Sequence, residues 1–96
     1  MKALPEGLTH YKSTAEFTEN SIPAALLRSH STAPEVWGRI KIIEGKLLYR
    51  MLEPTLEELV LTPAQDGIVE PRALHEVAVL GPVRFCVEFH RMAARG

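Results

Sequence analysis

The chain has 96 residues, of which 46% are hydrophobic and 24% charged, and its formal net charge is −1. This length predicts a single domain over residues 1–96 with an ordered core from about 5 to 90, and the composition is that of a globular protein. The near-zero charge argues against nucleic acid or an anionic membrane surface as the main partner. No apolar run could span a bilayer, the N-terminus lacks the apolar core of a signal peptide, and the single cysteine excludes an internal disulfide, so a cytoplasmic location is expected.

The first third of the chain is polar and carries mixed signals. Leu8–Tyr11 is expected to form a short edge strand. Residues 13–17 match a helix-start pattern, with Ser13 as the cap and Glu16 three residues later. The run Ala24–His30 begins apolar and becomes polar, which predicts a strand running outward from the core.

The middle of the chain contains the clearest strand signal. Over Val36–Ile43 the charged residues Arg39 and Lys41 alternate with apolar ones, and this period of two predicts a half-buried antiparallel strand. A second run of the same kind follows over Lys46–Leu52. Glu44-Gly45 lies between the two runs and predicts a hairpin turn, because glycine readily adopts a positive φ.

The last third continues the alternation in short segments. Turn residues predict reversals at 62–67 and at Gly81-Pro82, and the tail from Arg91 to Gly96 is expected to be frayed. Seven or eight short strands with hardly any helical period predict an all-β fold, either a sandwich or a small barrel. The strands predicted in this part are Leu59–Leu61, Ile68–Val69, His75–Leu80 and Val83–Phe89.

Histidine and carboxylate side chains are the candidates for chemistry. Together they are sufficient for a mononuclear site, and imidazole with carboxylate suits zinc, iron, nickel or manganese. No paired metal motif such as His-x-His or Cys-x-x-Cys occurs, so a site would have to be assembled from separate strands. The residues concerned are His10, His30, His75 and His90 with Glu35, Glu70, Glu76 and Glu88.

Simpler interpretations compete for several of these residues. His10 is expected to be solvated, His90 could be a rim residue, and Glu88 could belong to a solvated sheet face. Cys86 has no evident cationic partner and is better explained as a small packed residue than as a nucleophile. Without a Ser-His-Asp order, a phosphate loop or a dinucleotide glycine pattern, nucleophilic and nucleotide chemistry are disfavoured.

Two segments resemble the metal-binding motifs of cupins. Gly67, Pro71 and His75, each four residues apart, resemble a shortened second motif, in which Pro71 restricts the corner that presents His75. Residues 30–35, followed by 40–45, resemble a degraded first motif. From about Pro5 to His90 the chain is similar to the TehB/YeaR-like domain family, and the further segments that support this are Pro23–Leu27, Trp37-Gly38, Glu44–Leu47 and Val87–Phe89.

The resemblance implies a small cupin-like double-stranded β-helix, that is, a jelly-roll barrel. It also implies a tellurite or other stress-resistance context, sometimes with the domain placed before a methyltransferase. His30 and His75 would be the histidines of the first and second motifs. Thr32 occupies the place of the second first-motif histidine, so an ordinary three-histidine, one-glutamate site is incomplete.

The leading hypothesis is therefore a divalent metal ion held in the barrel by His30, His75 and a further ligand. Glu88 or His90 on the last strand would complete the site, or Glu35 near the first-motif glutamate position. The metal would act on, or help to sense, a small molecule, and whether turnover occurs stays open. Two alternatives are a metal-free pocket for an organic ligand and a homodimer that forms through an exposed sheet edge.

Overall fold

The computed structural model describes residues 4–27, 30, 31, 33–53 and 55–92. Within these described residues, seven strands form one antiparallel sheet, and one short 3₁₀ helix lies between the second and third strands in chain order. The prediction of a small all-β fold is confirmed. The elements are β1 (Leu8–Ser13), β2 (Phe17–Thr18), the 3₁₀ helix (Ala24–Leu27), β3 (His30–Ser31), β4 (Trp37–Glu53), β5 (Glu57–Leu61), β6 (Gly67–Val69) and β7 (Leu74–Met92).

Two long strands organise the sheet. β4 and β7 pair from Trp37↔His90 at one end to Glu53↔Leu74 at the other. The second edge of β7 receives β1, β2 and β3 in turn. The second edge of β4 receives β6 along its first half and β5 along its second half. Every short strand is thus held by one of the two long strands.

Both long strands continue through the positions where the sequence predicts turns. The expected reversals at Glu44-Gly45 and Gly81-Pro82 are wrong, since β4 and β7 run through them without a break. Gly45 has φ of 80°, and the register with β7 shifts on both sides of it, so the glycine makes a bulged bend. A Cβ on Gly45 would lie 2.1 Å from the Pro82 carbonyl oxygen, so the two bends fit directly against each other.

The helix expected at residues 13–17 is replaced by extended chain. β1 ends at Ser13, and the next residue joins the β7 edge. Thr14 N donates to the Val87 carbonyl at 2.9 Å, and Val87 N donates to Thr14 Oγ1 at 3.0 Å. Pairing with an available strand edge thus overrides the local helix-start signal.

The strand expected over Ala24–His30 is also wrong for its first part. Ala24–Leu27 forms the 3₁₀ helix, in which Leu26 N donates to the Pro23 carbonyl at 3.0 Å. Residues 28 and 29 lie outside the described residues, and β3 begins at His30. Pro54 and residues 93–96 of the expected tail also lie outside them.

The inner faces of β4 and β7 form one hydrophobic core. Burial alternates along both strands, as their period-two sequence predicts. Phe85, Leu47 and Leu61 are completely buried. In the described part of the chain, no helix has the length and apolarity needed to cross a membrane. The buried core residues are Ile40, Ile42, Leu47, Tyr49, Met51, Leu61, Val69, Ala73, Val77, Val83, Phe85 and Val87.

Candidate functional site

An apolar cavity of about 200 Å³ lies between the N-terminal segment and the inner face of β7. Of the lining side chains that the structure describes, only those of Thr14 and His75 are polar. The segment from Thr14 to Leu26 forms one wall, and inward-facing residues of β4, β6 and β7 form the other. The lining residues are Thr14, Phe17, Pro23, Ala25, Leu26, Gly38, Ile40, Val69, His75, Val77, Phe85, Val87 and Phe89.

A tight corner delivers His75 to this cavity. Ala73 N donates to the Glu70 carbonyl at 3.2 Å, and Arg72 adopts a positive φ of 62°. His75 follows as the second residue of β7, where only 4% of its surface is exposed. The expectation that a Pro71 corner presents a histidine at the start of a strand is confirmed in this respect.

A backbone hydrogen bond orients the His75 ring. Its Nδ1 lies 3.0 Å from the Ala73 carbonyl oxygen, and because a carbonyl can only accept, Nδ1 must carry the proton. In the neutral ring Nε2 is then the basic nitrogen, which can accept a hydrogen bond or coordinate a metal. The ring centroid lies 6.0 Å from that of Tyr49, so the imidazole is held among packed side chains.

Glu88 and His90 lie on the other face of β7. The inward residues from His75 to Phe89 have odd numbers, so strand alternation turns these two even-numbered side chains outward. One Glu88 oxygen lies 3.6 Å from both Arg39 Nη1 and His90 Nε2. His90 is nevertheless buried, with its ring 5.2 Å from that of His10, and its Nε2 has no hydrogen-bond partner among the described residues.

The remaining predicted ligands are also separated. The backbone places His30 directly opposite His75 in the β3–β7 register, while the His30 side chain lies outside what is described. Glu35 is exposed, has φ of 69° and lines a surface pocket with Trp37 and Arg91. Thr32 lies outside the described residues.

These positions bear on the predicted metal site. The described residues contain no group of three or more His, Cys, Asp or Glu side chains arranged to hold a metal ion. Among the residues that the structure describes, the cavity lining includes His75 but no carboxylate, and Glu88 and His90 lie on the opposite face of β7. A metal site of His30, His75 and a carboxylate stays a prediction, since the His30 side chain lies outside what is described.

Sequence reasoning missed the wall that the N-terminal segment contributes. Phe17 packs edge-on against Phe85 with ring centroids 5.7 Å apart, and Leu26 packs against the core. The sequence sign of this wall was the presence of isolated large apolar residues in an otherwise polar stretch.

Cys86 fits its expected role, since burial, together with the Glu88 charge, raises the pKa of its thiol and keeps it protonated.

The family of the chain follows from its sequence. Residues 12–87 match the TehB-like domain. The chain belongs to the TehB-like domain family. The match begins within β1 and ends within β7, so it includes all of β4, most of β7 and every element between β1 and β7.

Known proteins that are similar to this TehB-like domain include one from Haemophilus influenzae and one from Escherichia coli strain K12. One is the probable S-adenosyl-L-methionine-dependent methyltransferase TehB of Haemophilus influenzae, 31% identical over 74 residues, which make up 73% of this chain and 26% of the relative. The crystal structure of Haemophilus influenzae TehB superimposes with a TM-score of 0.83 at 26% identity, over 91% of this chain and 32% of that one. The chain thus spans only about a third or less of TehB.

The other is a protein from Escherichia coli strain K12 with a known crystal structure. It superimposes with a TM-score of 0.87 over 98% of this chain and 100% of that chain, at 17% identity. At this low identity the likeness shows the fold alone. The same small all-β fold therefore forms the whole of one solved chain and only part of the longer TehB.

Proposed function

We propose that this TehB-like domain binds a small organic molecule in the cavity beside His75, as part of tellurite or another stress resistance. The observation that carries the proposal is an almost wholly apolar cavity into which one oriented histidine is built. Ligand sites in proteins commonly combine apolar lining with a few polar groups that fix orientation. This is the metal-free alternative raised by the sequence, and the apolar side chains of the described lining support it.

The cavity restricts the size and polarity of its ligand. An engineered apolar cavity of about 150 Å³ binds benzene, so a cavity of about 200 Å³ accommodates a ligand of roughly six to ten non-hydrogen atoms. Thr14 and His75 are the only polar side chains among the described lining residues, so the ligand should be mostly apolar. A single hydroxyl on the ligand would lie against the His75 imidazole, which the Ala73 carbonyl holds in a fixed orientation.

The relatives support a role beside a methyltransferase. TehB is a probable S-adenosyl-L-methionine-dependent methyltransferase, and most of its length lies beyond the part that this chain matches. We infer that the domain assists such a reaction by binding a small molecule, in the cytoplasm. Purified domain incubated with radiolabelled S-adenosyl-L-methionine and tellurite should transfer no methyl group by itself, and transfer by the domain alone would contradict this division of labour.

Binding can be tested with two molecules of nearly equal shape. Phenol and toluene differ by a hydroxyl in place of a methyl group, so NMR titration of the full chain isolates the His75 contact. We expect both to shift the Val77, Phe85 and Val87 amides, with phenol binding about three- to tenfold more tightly, as one added hydrogen bond allows. In His75→Leu the advantage of phenol should disappear.

A pair of neighbouring substitutions provides the control. Ala25 lines the cavity and Ala24 does not, although both are exposed in the same 3₁₀ helix. Ala25→Phe should abolish the binding of both molecules, and Ala24→Phe should leave it unchanged. Failure of either molecule to shift the cavity amides would contradict the proposal.

The metal hypothesis has a separate test. The register of His30 with His75 is the observation in its favour. Metal analysis of untagged protein, with and without added zinc or iron, measures the bound metal directly. Stoichiometric metal that both His30→Ala and His75→Ala remove would support a metal centre and contradict the metal-free proposal.

A homodimer remains a separate prediction. β5 ends the sheet order, and its edge region exposes Leu56, Leu59 and Val60. Exposed apolar strands at an edge can pair with another copy of the chain. Light scattering should then give twice the monomer mass for the wild type and the monomer mass for Val60→Lys, and a monomeric wild type would contradict the prediction.

A further inference from the structure

A surface pocket lies at the end of the sheet where β4 begins and β7 ends. Trp37 pairs with His90 there, so the chain before Trp37 runs beside the last residues of β7. This Trp37 pocket has a volume of about 460 Å³, and its described lining shares no residue with that of the His75 cavity. It combines a carboxylate, a guanidinium and an indole. The lining residues are Pro34, Glu35, Val36, Trp37, Arg91 and Met92.

A tight turn positions Glu35 at this pocket. Val36 N donates to the Ala33 carbonyl at 3.2 Å, and Pro34 restricts φ at the second position of the turn. Glu35, at the third position, has φ of 69°, a value at which glycine is the usual residue. The backbone of Glu35 is therefore fixed by the turn, and its carboxylate extends from a defined point of the pocket lining.

A bulge in the neighbouring strand supports Arg91. The register of β1 with β7 shifts between His10 and Lys12, which leaves Tyr11 as the extra residue of the bulge. Arg91 Cζ lies 4.3 Å from the centre of the Tyr11 ring, so the guanidinium is held by a cation–π contact. This contact supplies no carboxylate, and the guanidinium keeps the planar set of donors that binds a carboxylate through two hydrogen bonds.

The two charged groups of the pocket differ from the other charges of the sheet. Arg39, Arg50 and Arg84 form ion pairs with two carboxylates each. Within the described part of the chain, neither Arg91 nor Glu35 forms an ion pair, either with the other or with a third residue. The pocket thus presents one positive and one negative group separately, beside an aromatic ring.

We propose that the Trp37 pocket binds a zwitterionic amino acid with an apolar side chain. Its carboxylate would accept hydrogen bonds from the Arg91 guanidinium, and its ammonium would donate to the Glu35 carboxylate. The apolar side chain would pack against Trp37 and Met92. A simple anion would meet the charge of Glu35 and a simple cation that of Arg91, so the pocket favours a ligand that carries both charges. This site does not depend on the proposed function of the His75 cavity.

Three probes with the same phenylethyl body test the need for both charges. L-Phenylalanine carries both, 3-phenylpropanoate lacks the ammonium, and 2-phenylethylamine lacks the carboxylate. In NMR titrations of the full chain, phenylalanine should shift the Val36, Trp37 and Met92 amides and bind at least about threefold more tightly than either other probe. Added salt should reduce this advantage. Equal binding of the three probes, or no shift of these amides, would overturn the proposal.

Variants of the two charged residues assign each contact. Arg91→Gln should remove the advantage of phenylalanine over 2-phenylethylamine without weakening the binding of 2-phenylethylamine. Glu35→Gln should remove its advantage over 3-phenylpropanoate without weakening the binding of 3-phenylpropanoate. A residue with only a structural role would affect all three probes alike. Such a uniform loss, or an unchanged advantage in both variants, would contradict the assigned contacts.

A second turn of the same kind provides a matched control for Glu35. Arg72 also follows a proline and has a positive φ of 62°, in a turn closed by Ala73 N and the Glu70 carbonyl, but it lies outside the lining of the Trp37 pocket. Both Glu35→Gly and Arg72→Gly should raise the melting temperature, because glycine adopts a positive φ without a steric penalty. Only Glu35→Gly should remove the advantage of phenylalanine over 3-phenylpropanoate. Loss of that advantage in Arg72→Gly, or its retention in Glu35→Gly, would overturn the role of Glu35.

The failure of this proposal is distinguishable from failure of the first. Ala25→Phe blocks the His75 cavity but alters no described residue of the Trp37 pocket, so phenylalanine binding should survive it. If Ala25→Phe abolished phenylalanine binding and the wild-type shifts mapped to Val77 and Phe85, the amino acid would occupy the cavity. The Trp37 pocket proposal would then be wrong while the cavity proposal stood.

Discussion

The His75 cavity and a cleft of about 250 Å³ between β5 and β6 are neighbouring regions with contrasting chemistry. This β5–β6 cleft is lined by Tyr49, Met51, Glu57, Glu58, Leu59, Asp66 and Ile68. Their marker residues, His75 and Tyr49, face the same interior, with ring centroids 6.0 Å apart. The cavity is completed by apolar residues of the N-terminal segment, and the cleft by acidic residues of β5 and the chain before β6. The cavity uses inward positions of both long strands and the cleft uses Tyr49 and Met51 of β4, so the short segments paired at the strand edges decide the chemical character of each region.

The largest expected change is a loss of stability when an aromatic side chain is removed from the cavity wall. Phe85 is completely buried and packs against Phe17, so Phe85→Ala should lower the free energy of unfolding by about 3–5 kcal/mol. Because the variant also enlarges the cavity, toluene should stabilise it more than the wild type in urea unfolding. Leu61→Ala, equally buried but outside the cavity lining, should lose about 2–5 kcal/mol without that gain. Equal stabilisation of both variants would remove the distinction between the two regions.

The bend shared by the long strands supports both regions. Gly45→Ala would place a Cβ 2.1 Å from the Pro82 carbonyl at φ of 80°, so we expect a loss of about 2–4 kcal/mol in unfolding free energy. Both cavity and cleft amides should shift in its NMR spectrum. Gly81→Ala is the control, because nothing lies within 4 Å of its added Cβ, and its loss should be smaller. A larger loss at Gly81 would contradict this account of the bend.

Tyr49 gives the cleft side a distinct dependence on alkaline pH. Its pKa is about 12 in the folded chain against an ordinary value of 10.0, so the unfolded chain loses this proton first as pH rises. The contribution of this group is therefore complete below pH 10 and is lost towards pH 12, by about 2–3 kcal/mol. The free energy of unfolding, measured in urea, should therefore decline between these pH values. It should decline less in Tyr49→Phe, which lacks the hydroxyl. Parallel declines in both proteins would contradict the raised pKa.

The smallest expected change in stability comes from Glu19, which lies in the N-terminal segment near the bend. Glu19 accepts a hydrogen bond from Val83 N at 3.0 Å, and this contact holds the pKa of its carboxyl below the ordinary value of 4.5. Its contribution to stability is present above the ordinary value and is lost as pH falls through the lowered one. The difference in melting temperature between the wild type and Glu19→Gln should thus be small at neutral pH and vanish in acid. A difference that grows in acid would contradict the assignment.

Short sequence patterns predicted well which faces of the strands are buried, but they predicted poorly where the chain reverses direction. The alternation of Arg39 and Lys41 with apolar neighbours correctly indicated a half-buried strand. The glycine and proline residues at 45 and 81–82 do mark irregularities of the strand backbone. These are bends and not chain reversals, because the residues of β4 before and after Gly45 both pair with β7. The helix-start pattern at Ser13 failed for the same reason, since the β7 edge offered hydrogen bonds to Thr14.

The candidate site was predictable only in part. The Pro71 corner and the buried His75 were accessible because a fixed φ and strand parity act over a few residues. The same parity, carried along the unbroken β7, separates His75 from Glu88 and His90, which the sequence analysis had grouped with it. Tyr49 was not singled out, because a tyrosine in an alternating strand carries no sign that its hydroxyl will lack a partner.

By itself the sequence determined the all-β class, the inward and outward faces of the long strands, and the corner before His75, since these depend on period, composition and restricted backbone angles. Only the tertiary structure decided that the expected turns are bends and that the N-terminal segment closes an apolar cavity. It also decided that acidic residues of β5 and the chain before β6 gather around Tyr49. Those outcomes depend on pairings between residues distant in sequence, whose free energy outweighs local preference and which no short stretch of sequence encodes.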